Sequence, residues 1–297
     1  MNKLVDYIKV IAIFVLLFCI IEIIETIQNN SNQKIDNPIT TVDNLEIYFL
    51  DVGEADSTLI RKDNTNILID GGNNKDGKKL VNYFKQLNIN TFDYIIATHP
   101  HEDHIGGLDY IIREFNVDNY LETNIKQDNY TYQEIIKETD KKNIKRQVPK
   151  IDDEIKIDDL IFKILYLDDN IEDINNSSII IRLEYKNTSY LFMADANKDE
   201  EIKILDKDIK SDVLKVGHHG SQYATSANLL EKVKPRYSII SCGLNNDYGF
   251  PKQVTLDKLN KINSKIYRTD QDHTIKLISD GENINIETLE TDTNQEE

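Results

Sequence analysis

Residues 99–104 read His99-Pro100-His101-Glu102-Asp103-His104, and they follow a short apolar segment, residues 94–98, that predicts a buried strand. Three histidines and an aspartate so close together are unexpected by chance in a chain with only six histidines. Imidazole and carboxylate groups are the ligands that Zn²⁺ and similar ions prefer. A solvated polar turn is the alternative interpretation, and the density of ligand-type side chains argues against it.

The spacing within this motif favours two metal ions over one. His99 and His101 are two residues apart, so their side chains point the same way if the backbone is extended. Asp103 and His104 lie at the junction with the following helix and point elsewhere. One tetrahedral ion could not easily bind all four groups. We therefore expect two neighbouring divalent ions, either zinc or manganese.

Residues 45–289 surround this motif and alternate between strand and helix patterns. Three strand patterns separated by turns precede it, and strands alternating with amphipathic helices follow it. Hairpins and crossover connections are both present. This mixture predicts an α/β (α+β) fold, a four-layer αββα sandwich in which two mixed β-sheets pack together and helices cover their outer faces.

The first 28 residues predict a single-pass membrane anchor. Residues 8–24 are apolar except for Lys9 and Glu22, and their length is close to that of the shortest helix that spans a bilayer. Because Lys3 and Lys9 precede the unbroken apolar residues 10–21 and Glu22 and Glu25 follow them, the remainder of the chain should lie outside the cell. A cleaved signal peptide, giving a secreted protein, is the alternative, but no small-residue cleavage site follows the run. A buried core helix is the third interpretation.

Two further segments flank the main domain. Residues 29–44 are polar, contain Pro38 and show no periodicity, which is typical of a linker. Residues 290–297 are acidic and polar and predict a frayed tail. The expected organisation is an anchor over residues 1–28, a linker over 29–44 and one catalytic domain over 45–289.

The overall charge restricts the classes of partner. The 297 residues include 35 Lys and Arg against 52 Asp and Glu, a formal net charge of −17. A protein that wraps nucleic acid by bulk charge needs a basic surface, so this class is disfavoured, although a local phosphate site is not. With only Cys19 and Cys242, a disulfide framework is excluded.

The chain resembles the metallo-β-lactamase fold family of metal-dependent hydrolases over residues 45–289. HPHEDH matches the family's H-x-H-x-D-H motif at every fixed position. Other landmarks follow in the family's order: FLDVG at 49–53, IDGG at 69–72, LFMADA at 191–196 and LKVGHHGS at 214–221. The closest branch is the extracellular hydrolase domain of ComEC-type DNA-uptake proteins, because residues 246–251 also match its N-x-Y-G-x-P stretch.

The resemblance implies a set of site residues. The expected metal ligands are His99, His101, Asp103, His104, Asp195, His218 and His219. At least one of the last two should bind metal, with His219 favoured. Asp195 would bridge both ions and Asp103 would also accept a proton, so these two are the expected catalytic residues. Asp51 and Asp70 would support the ligands, backbone N–H groups of Gly220 and Ser221 would hold a phosphate oxygen, and Asn246 and Tyr248 would contact substrate.

This chain departs from the family pattern in one consequential way. No histidine occurs between His104 and Asp195, where many members place a third imidazole for the first metal. Asn175, Asn176 and Ser177 occupy that place instead. The first metal is therefore expected to have only two imidazoles and to be the more weakly held. A smaller departure is Phe250, at a position that is often histidine in the ComEC-type branch.

The expected function is two-metal hydrolysis of a phosphodiester outside the cell, possibly as a nuclease. The two divalent ions would lower the pKa of a shared water molecule. A hydrolase of a small or cell-surface ester, such as choline phosphate or a lactone, is the first alternative, and the net charge favours it over long DNA. A binding protein with a decayed site is the second alternative, which the intact HPHEDH motif disfavours. Hydrolysis of β-lactams is not implied by the family name.

Overall fold

A computed structural model describes residues 44–169 and 173–290 of the chain. The predicted anchor, almost all of the predicted linker and nearly the whole acidic tail lie outside the described residues. Within those ranges, no helix combines the length and apolar character that a membrane span requires.

The described residues form β-strands and helices in alternation. The strands are β1 (Leu45–Phe49), β2 (Thr58–Lys62), β3 (Thr65–Ile69), β4 (Thr91–Ile96), β5 (Asn116–Leu121), β6 (Arg146–Gln147), β7 (Glu154–Ile157), β8 (Leu160–Tyr166), β9 (Ile180–Tyr185), β10 (Thr188–Phe192), β11 (Val213–Lys215), β12 (Tyr237–Ile240), β13 (Lys265–Arg268), β14 (Thr274–Ser279) and β15 (Ile284–Leu289). The α-helices are α1 (Gly77–Gln86), α2 (Glu102–Ile105), α3 (Leu108–Glu114), α4 (Tyr130–Lys141), α5 (Lys198–Ile202), α6 (Ala227–Val233), α7 (Gln253–Lys261) and α8 (Thr269–Asp272). Short 3₁₀ turns cover Asn74–Asp76, Ile174–Ser177 and His218–Gly220.

The strands build two mixed sheets. The first sheet has the order β15-β14-β1-β2-β3-β4-β5-β6, and the second has the order β13-β12-β11-β10-β9-β8-β7. In each sheet an antiparallel half joins a parallel half: β3 pairs parallel with β4 in the first sheet, and β10 pairs parallel with β11 in the second. Parallel neighbours need crossover connections, and the helices between the strands supply them.

Apolar side chains divide into three buried clusters. One lies between the sheets and includes Phe49 of β1 and Phe192 of β10, whose ring centroids are 6.3 Å apart. A second joins the first sheet to its helices, for example through Phe84 of α1, and the third joins the second sheet to its helices, for example through Leu229 of α6. This confirms the four-layer αββα sandwich that the sequence predicts.

Two short helices are absent from the sequence prediction. Helix α2 lies inside the histidine motif, where the carbonyl oxygen of His101 accepts the N–H groups of His104 and Ile105 at 3.1 and 3.0 Å. Helix α8 follows β13 directly. Both are only four residues long, so neither repeats an apolar position often enough to show helical periodicity.

Two glycines let the metal-binding motif pack against the turn that follows β3. A Cβ atom on Gly106 would lie 2.2 Å from the backbone nitrogen of Asn74, and one on Gly107 would lie 2.3 Å from the carbonyl oxygen of Gly71. The N–H of Gly71 donates to the carbonyl oxygen of His104 at 2.6 Å. A side chain at either glycine would therefore displace the segment that carries His104.

A fragment that starts at Asp43 should fold without the preceding residues. Both sheets and all three apolar clusters are built from the described residues, so removing the first 42 residues should remove no core contact among them. We expect a fragment that is soluble without detergent and unfolds cooperatively when heated, as monitored by circular dichroism. An insoluble fragment, or one that melts without a cooperative transition, would contradict the predicted separation between anchor and domain.

Candidate metal centre

The candidate site lies where strands of both sheets end. The HPHEDH loop follows β4 of the first sheet, Asp195 follows β10 of the second sheet, and the His218–His219 pair follows β11. Because β10 and β11 are parallel neighbours, Asp195 and the histidine pair leave the same edge of their sheet. The packing of the two sheets brings the HPHEDH loop to them.

His219 is held in an unusual backbone conformation. His218 and His219 both have a φ of 51°, which is sparsely populated for residues with a side chain. The N–H of His218 donates to the carbonyl oxygen of Ala194 at 2.8 Å, so the pair is tied to the segment that carries Asp195. Strained backbone of this kind is found where a side chain must be aimed at a functional site.

Asp103, His104, Asp195 and His219 form one group of ligand-type side chains. The Nε2 atom of His104 is 3.3 Å from Asp195 Oδ1 and 3.9 Å from Asp103 Oδ2. The Nε2 atom of His219 is 3.3 Å from Asp103 Oδ2 and 3.7 Å from Asp195 Oδ1. Four ligands at about 2.0–2.1 Å from a tetrahedral ion are separated by roughly 3.3–3.4 Å, so the observed distances are close to the edges of such a tetrahedron.

Three of these atoms lack a hydrogen-bond partner although they are buried: His104 Nε2, Asp195 Oδ1 and His219 Nε2. Unsatisfied buried polar atoms are costly and uncommon, and here they converge on one point. A divalent cation at that point would satisfy all of them. The nitrogen and oxygen atoms of this group therefore suit a divalent metal ion.

The other oxygen of Asp195 faces a second set of imidazoles. Asp195 Oδ2 is 3.7 Å from His218 Nε2 and 4.0 Å from His99 Nε2. His99 Nε2 in turn is 3.1 Å from His101 Nδ1. The two oxygens of Asp195 thus point to two different groups of nitrogen atoms, which is the arrangement of a carboxylate that bridges two ions.

The expectation of a first metal with only two imidazoles does not match this geometry. His218 lies on the His99 side of Asp195 and His219 lies on the His104 side, so both members of the pair are placed to bind. The sequence could not assign them because two adjacent residues normally point apart, and only the positive φ of both residues lets them face the same centre. On the first side, His218 thus adds a third imidazole close to Asp195 Oδ2.

The ring orientations are fixed by hydrogen bonds at the opposite nitrogen. Four of the imidazoles have a partner at Nδ1, which leaves Nε2 for an ion. The contacts are His104 to Asp70 Oδ2 at 2.8 Å, His219 to the carbonyl oxygen of Ser241 at 3.0 Å, His218 to Asn197 Oδ1 at 3.1 Å and His99 to Ser178 Oγ at 3.4 Å.

Asn176 and Asn197 act together behind His218. Asn197 donates from Nδ2 to Asn176 Oδ1 at 3.0 Å while its own Oδ1 contacts His218 Nδ1. Asn176 thus orients a residue that orients a histidine, and it does not take the place of the missing ligand. The sequence gives no sign of this role for Asn197, Ser178 and Ser241, because none of them belongs to a recognisable motif.

Asp70 contacts the HPHEDH loop through Thr98 and His104. Its Oδ1 accepts the N–H of Thr98 at 2.8 Å, and its Oδ2 accepts the Thr98 hydroxyl at 2.7 Å and contacts His104 Nδ1. Asp51 is placed differently: its Oδ1 accepts the N–H of Gly53 at 3.2 Å, and its Oδ2 is 3.7 Å from His273 Nδ1. These contacts of Asp51 shape a turn.

Asp56 contacts two of the candidate metal ligands, Asp103 and His219, and the sequence did not predict this role. Its N–H donates to the carbonyl oxygen of Asp103 at 3.0 Å, and its Oδ1 lies 3.6 Å from His219 Nδ1. Its Oδ2 is 2.7 Å from the ammonium of Lys215, and both side chains are buried. Asp56, Asp70 and His104 are close enough to form a second metal-type group, but Lys215 already supplies a cation there.

Three of the four expected substrate contacts have other roles in this geometry. The N–H of Gly220 donates to Gly217 O at 3.1 Å and that of Ser221 to His218 O at 2.7 Å, so neither group is free to hold a phosphate oxygen. Both amide atoms of Asn246 are bonded within its own loop. Tyr248 remains open, with 65% of its surface exposed.

Charges within the site are strongly coupled. Burial by itself would raise the pKa of the Asp195 carboxyl, but the neighbouring charges of His104 and His219 outweigh it and hold that pKa well below its usual range. Burial would lower the pKa of His219, but Asp195 and Asp103 raise it to about 9. Burial would also lower the pKa of His104, but the negative charges of Asp195 and Asp70 outweigh this effect, so the pKa of His104 lies well above its usual value. Without metal, protons on these two rings balance the buried carboxylates.

A sequence profile described as the metallo-beta-lactamase superfamily matches residues 50–244. The chain belongs to this superfamily. With the donor set described above, it is a metallo-β-lactamase-fold metal-dependent hydrolase with a His/Asp metal site.

Curated relatives place the chain near competence proteins. It is 27% identical to ComE operon protein 3 of Bacillus subtilis (strain 168), over 78% of this chain and 32% of that protein. It is 28% identical to Recombination protein 2 of Haemophilus influenzae, over 75% of this chain and 27% of that protein. The chain therefore spans about a third or less of the length of these relatives, and the homology is distant.

Solved structures share the fold at low sequence identity. The metallo-beta-lactamase fold protein YhfI from Bacillus subtilis has a TM-score of 0.51 and 12% identity, over 75% of this chain and 95% of that one. Igni18, a metallo hydrolase from Ignicoccus hospitalis, has a TM-score of 0.51 and 15% identity, over 78% of this chain and 98% of that one. These likenesses concern the fold alone.

Metal content should separate the roles of Asp195 and the two late histidines. Asp195→Ala is expected to lose both ions and all activity, because each oxygen faces a different group of nitrogen atoms. His218→Ala should lose mainly the ion on the His99 side, and His219→Ala mainly the ion on the His104 side. Plasma mass spectrometry of dialysed protein measures this, with His273→Ala as the control because His273 is half exposed and contacts only Asp51 among these residues. Full metal content in His218→Ala would exclude it as a ligand.

Metal uptake should release protons and become tighter with rising pH. His219, with a pKa of about 9, and His104, with a raised pKa, are protonated in the metal-free protein at about pH 8, and an ion must displace those protons. The apparent affinity should therefore increase with pH, and the part of this increase that comes from His219 should end above about pH 9, the pKa of that ring. Calorimetry in two buffers that differ in ionisation enthalpy measures the release. Equal heats in both buffers at about pH 8 would contradict this charge assignment.

Proposed function

We propose that the protein is a two-metal phosphodiesterase that acts outside the cell. The observation that carries the proposal is the position of Asp195, whose two oxygens each face a separate set of imidazole nitrogens. Paired metal sites of this kind occur in phosphatases and nucleases, where both the attacking and the leaving oxygen carry charge that must be neutralised.

The residues around the metal centre have different roles. When bound, two divalent ions would lower the pKa of a water molecule and neutralise charge on the phosphate. His104, His219 and Asp195 have almost no exposed side-chain surface, whereas 32% of the Asp103 side chain is exposed. Asp103 therefore lies at the opening of the site, where it can accept a proton from the attacking water. Asp195 stays buried and holds the two halves of the centre together.

The relatives support a nucleic-acid substrate. Recombination protein 2 is named for recombination, and the N-x-Y-G-x-P stretch adds the resemblance to ComEC-type DNA-uptake proteins. The acidic composition argues against a long duplex wrapped around the protein, since counterion release needs a basic surface. We therefore propose that the protein contacts only a short stretch of nucleic acid next to the phosphodiester that is cleaved.

The proposed location rests on the N-terminal sequence. Residues 10–21 are unbroken apolar, with Lys3 and Lys9 before them and Glu22 and Glu25 after them. By the positive-inside rule this orientation supports a single-pass anchor with the catalytic domain outside the cell. Secretion after cleavage would place the domain in the same compartment.

A small or surface-linked ester is the second candidate. A net charge of −17 favours it, because a compact substrate such as a choline-phosphate ester needs no extended basic surface. The Asp195 geometry serves both candidates, since choline phosphate also forms a phosphodiester. The two candidate substrates differ in the group attached to the phosphate, which is a nucleoside in one and choline in the other.

One comparison of substrates tests the proposal. Protein loaded with Mn²⁺ or Zn²⁺ should hydrolyse bis-p-nitrophenyl phosphate and cleave single-stranded DNA, with less turnover of p-nitrophenyl phosphorylcholine and of a lactone. Asp195→Asn keeps the shape of the side chain but removes its charge, so it should lower kcat on every substrate by at least about a hundredfold. Turnover of the lactone alone, or equal rates in wild type and Asp195→Asn, would overturn the assignment.

A further inference from the structure

The segment between β12 and α7, residues 243–252, forms a rigid rim beside the metal centre. Asn246 donates from Nδ2 to the carbonyl oxygens of Gly243 and Phe250 at 2.9 and 2.7 Å, and its Oδ1 accepts the N–H of Phe250 at 2.9 Å. The N–H of Lys252 donates to the carbonyl oxygen of Gly220 at 3.0 Å. The rim is thus fixed both internally and to the loop that carries the histidine pair.

Three aromatic rings form a nearly parallel stack from the metal centre to the surface of this rim. The His219 imidazole and the Phe250 ring are inclined by 21°, with centroids 6.5 Å apart. The Phe250 and Tyr248 rings are inclined by 13°, with centroids 5.4 Å apart. Tyr248 is the outermost ring and 65% of its surface is exposed. Among residues 44–169 and 173–290, the stack therefore ends at the Tyr248 ring, and no further ring stacks on that one.

Positive charge accompanies the stack. The ammonium of Lys252 is 5.4 Å from the centroid of the Phe250 ring, and it also donates to the carbonyl oxygen of Tyr248. Exposed Lys198 follows Asn197, the partner of His218, and its backbone N–H donates to the carbonyl oxygen of exposed Tyr223 at 3.0 Å. Exposed tyrosines beside lysines are typical of grooves that bind single-stranded nucleic acid.

This geometry discriminates between the two candidate substrates. A quaternary ammonium binds best in a cage of rings that converge on it. Here the rings are parallel and present one outer face, and Lys252 would repel a cation. A planar, uncharged nucleobase can extend such a stack, while Lys252 attracts the adjoining phosphate. The faces of a base are available only when the nucleotide is unpaired and unstacked.

We propose that the outer face of Tyr248 is a stacking subsite for one unpaired base next to the phosphodiester that is cleaved, which makes single-stranded nucleic acid the substrate class. The inference rests on the proposed phosphodiesterase function and adds to it the group that the rim recognises. Stacking on one aromatic face depends little on the identity of the base. The subsite should therefore select unpaired strands without selecting a sequence.

The test uses the metal-loaded protein and two labelled oligonucleotides of equal length, one of thymidine and one with abasic residues in place of its internal nucleotides. The wild type should have a KM about tenfold lower for the thymidine strand than for the abasic strand, with similar kcat. Tyr248→Ala should raise the KM for the thymidine strand by about tenfold and leave the abasic strand unchanged. Tyr248→Phe should behave like the wild type, because the ring face is retained.

Tyr130→Ala is the matched control. Tyr130 is 75% exposed and begins α4, which packs on the first sheet, so its removal should change neither KM. A wild type that cleaves both strands with equal KM would overturn the subsite and leave the phosphodiesterase assignment intact. So would a Tyr248→Ala variant that loses more activity on p-nitrophenyl phosphorylcholine than on the thymidine strand. A wild type that cleaves no phosphodiester at all would overturn the proposed function, and the subsite with it.

Discussion

The buried carboxylate of Asp195 is the constraint on which the rest of the site depends. Moving an ionised carboxylate out of water costs several kcal/mol unless opposite charge surrounds it. Here both oxygens are buried and each faces imidazoles, His104 and His219 on one side, His99 and His218 on the other. Either protons on those rings or divalent ions must supply the balancing charge. The positions of the histidines, and of the groups behind them, follow from that requirement.

The groups behind the histidines come from both sheets. Asp70 and Thr98 of the first sheet fix His104, while Asn197 and Ser241 of the second fix the late histidine pair. Lys215 of β11 and Asp56 of the β1–β2 connection form a buried ion pair that joins the two sheets, and Asp56 lies close to His219. The centre is therefore a product of sheet packing, and a shift of one sheet against the other would separate the nitrogen atoms that face Asp195.

The acidic composition and a phosphate-cleaving site are compatible because charge matters at short range. At physiological ionic strength the field of an exposed charge is largely screened beyond about 8 Å. A phosphate bound beside Tyr248, as proposed, would be affected more by Lys252, whose ammonium lies 5.4 Å from the Phe250 ring, than by distant surface carboxylates. The same local argument connects the proposed function to the rim: recognition would depend on a few groups beside the metal centre and not on the net charge of the chain.

The kind of reaction was implied only by the resemblance to a known family, whereas the sequence by itself predicted the layers of the fold and a metal-binding HPHEDH loop. These follow from patterns that are local in the chain: apolar periodicity decides strand or helix, and ligand-type residues within six positions identify a metal loop. It could not distinguish His218 from His219, nor find Asn197, Ser178 or Ser241. Those depend on φ angles of 51° at adjacent histidines and on contacts between residues far apart in the chain. Only the tertiary structure decides them, because a hydrogen bond to an imidazole depends on which strand ends lie side by side, and no spacing along the chain encodes that position.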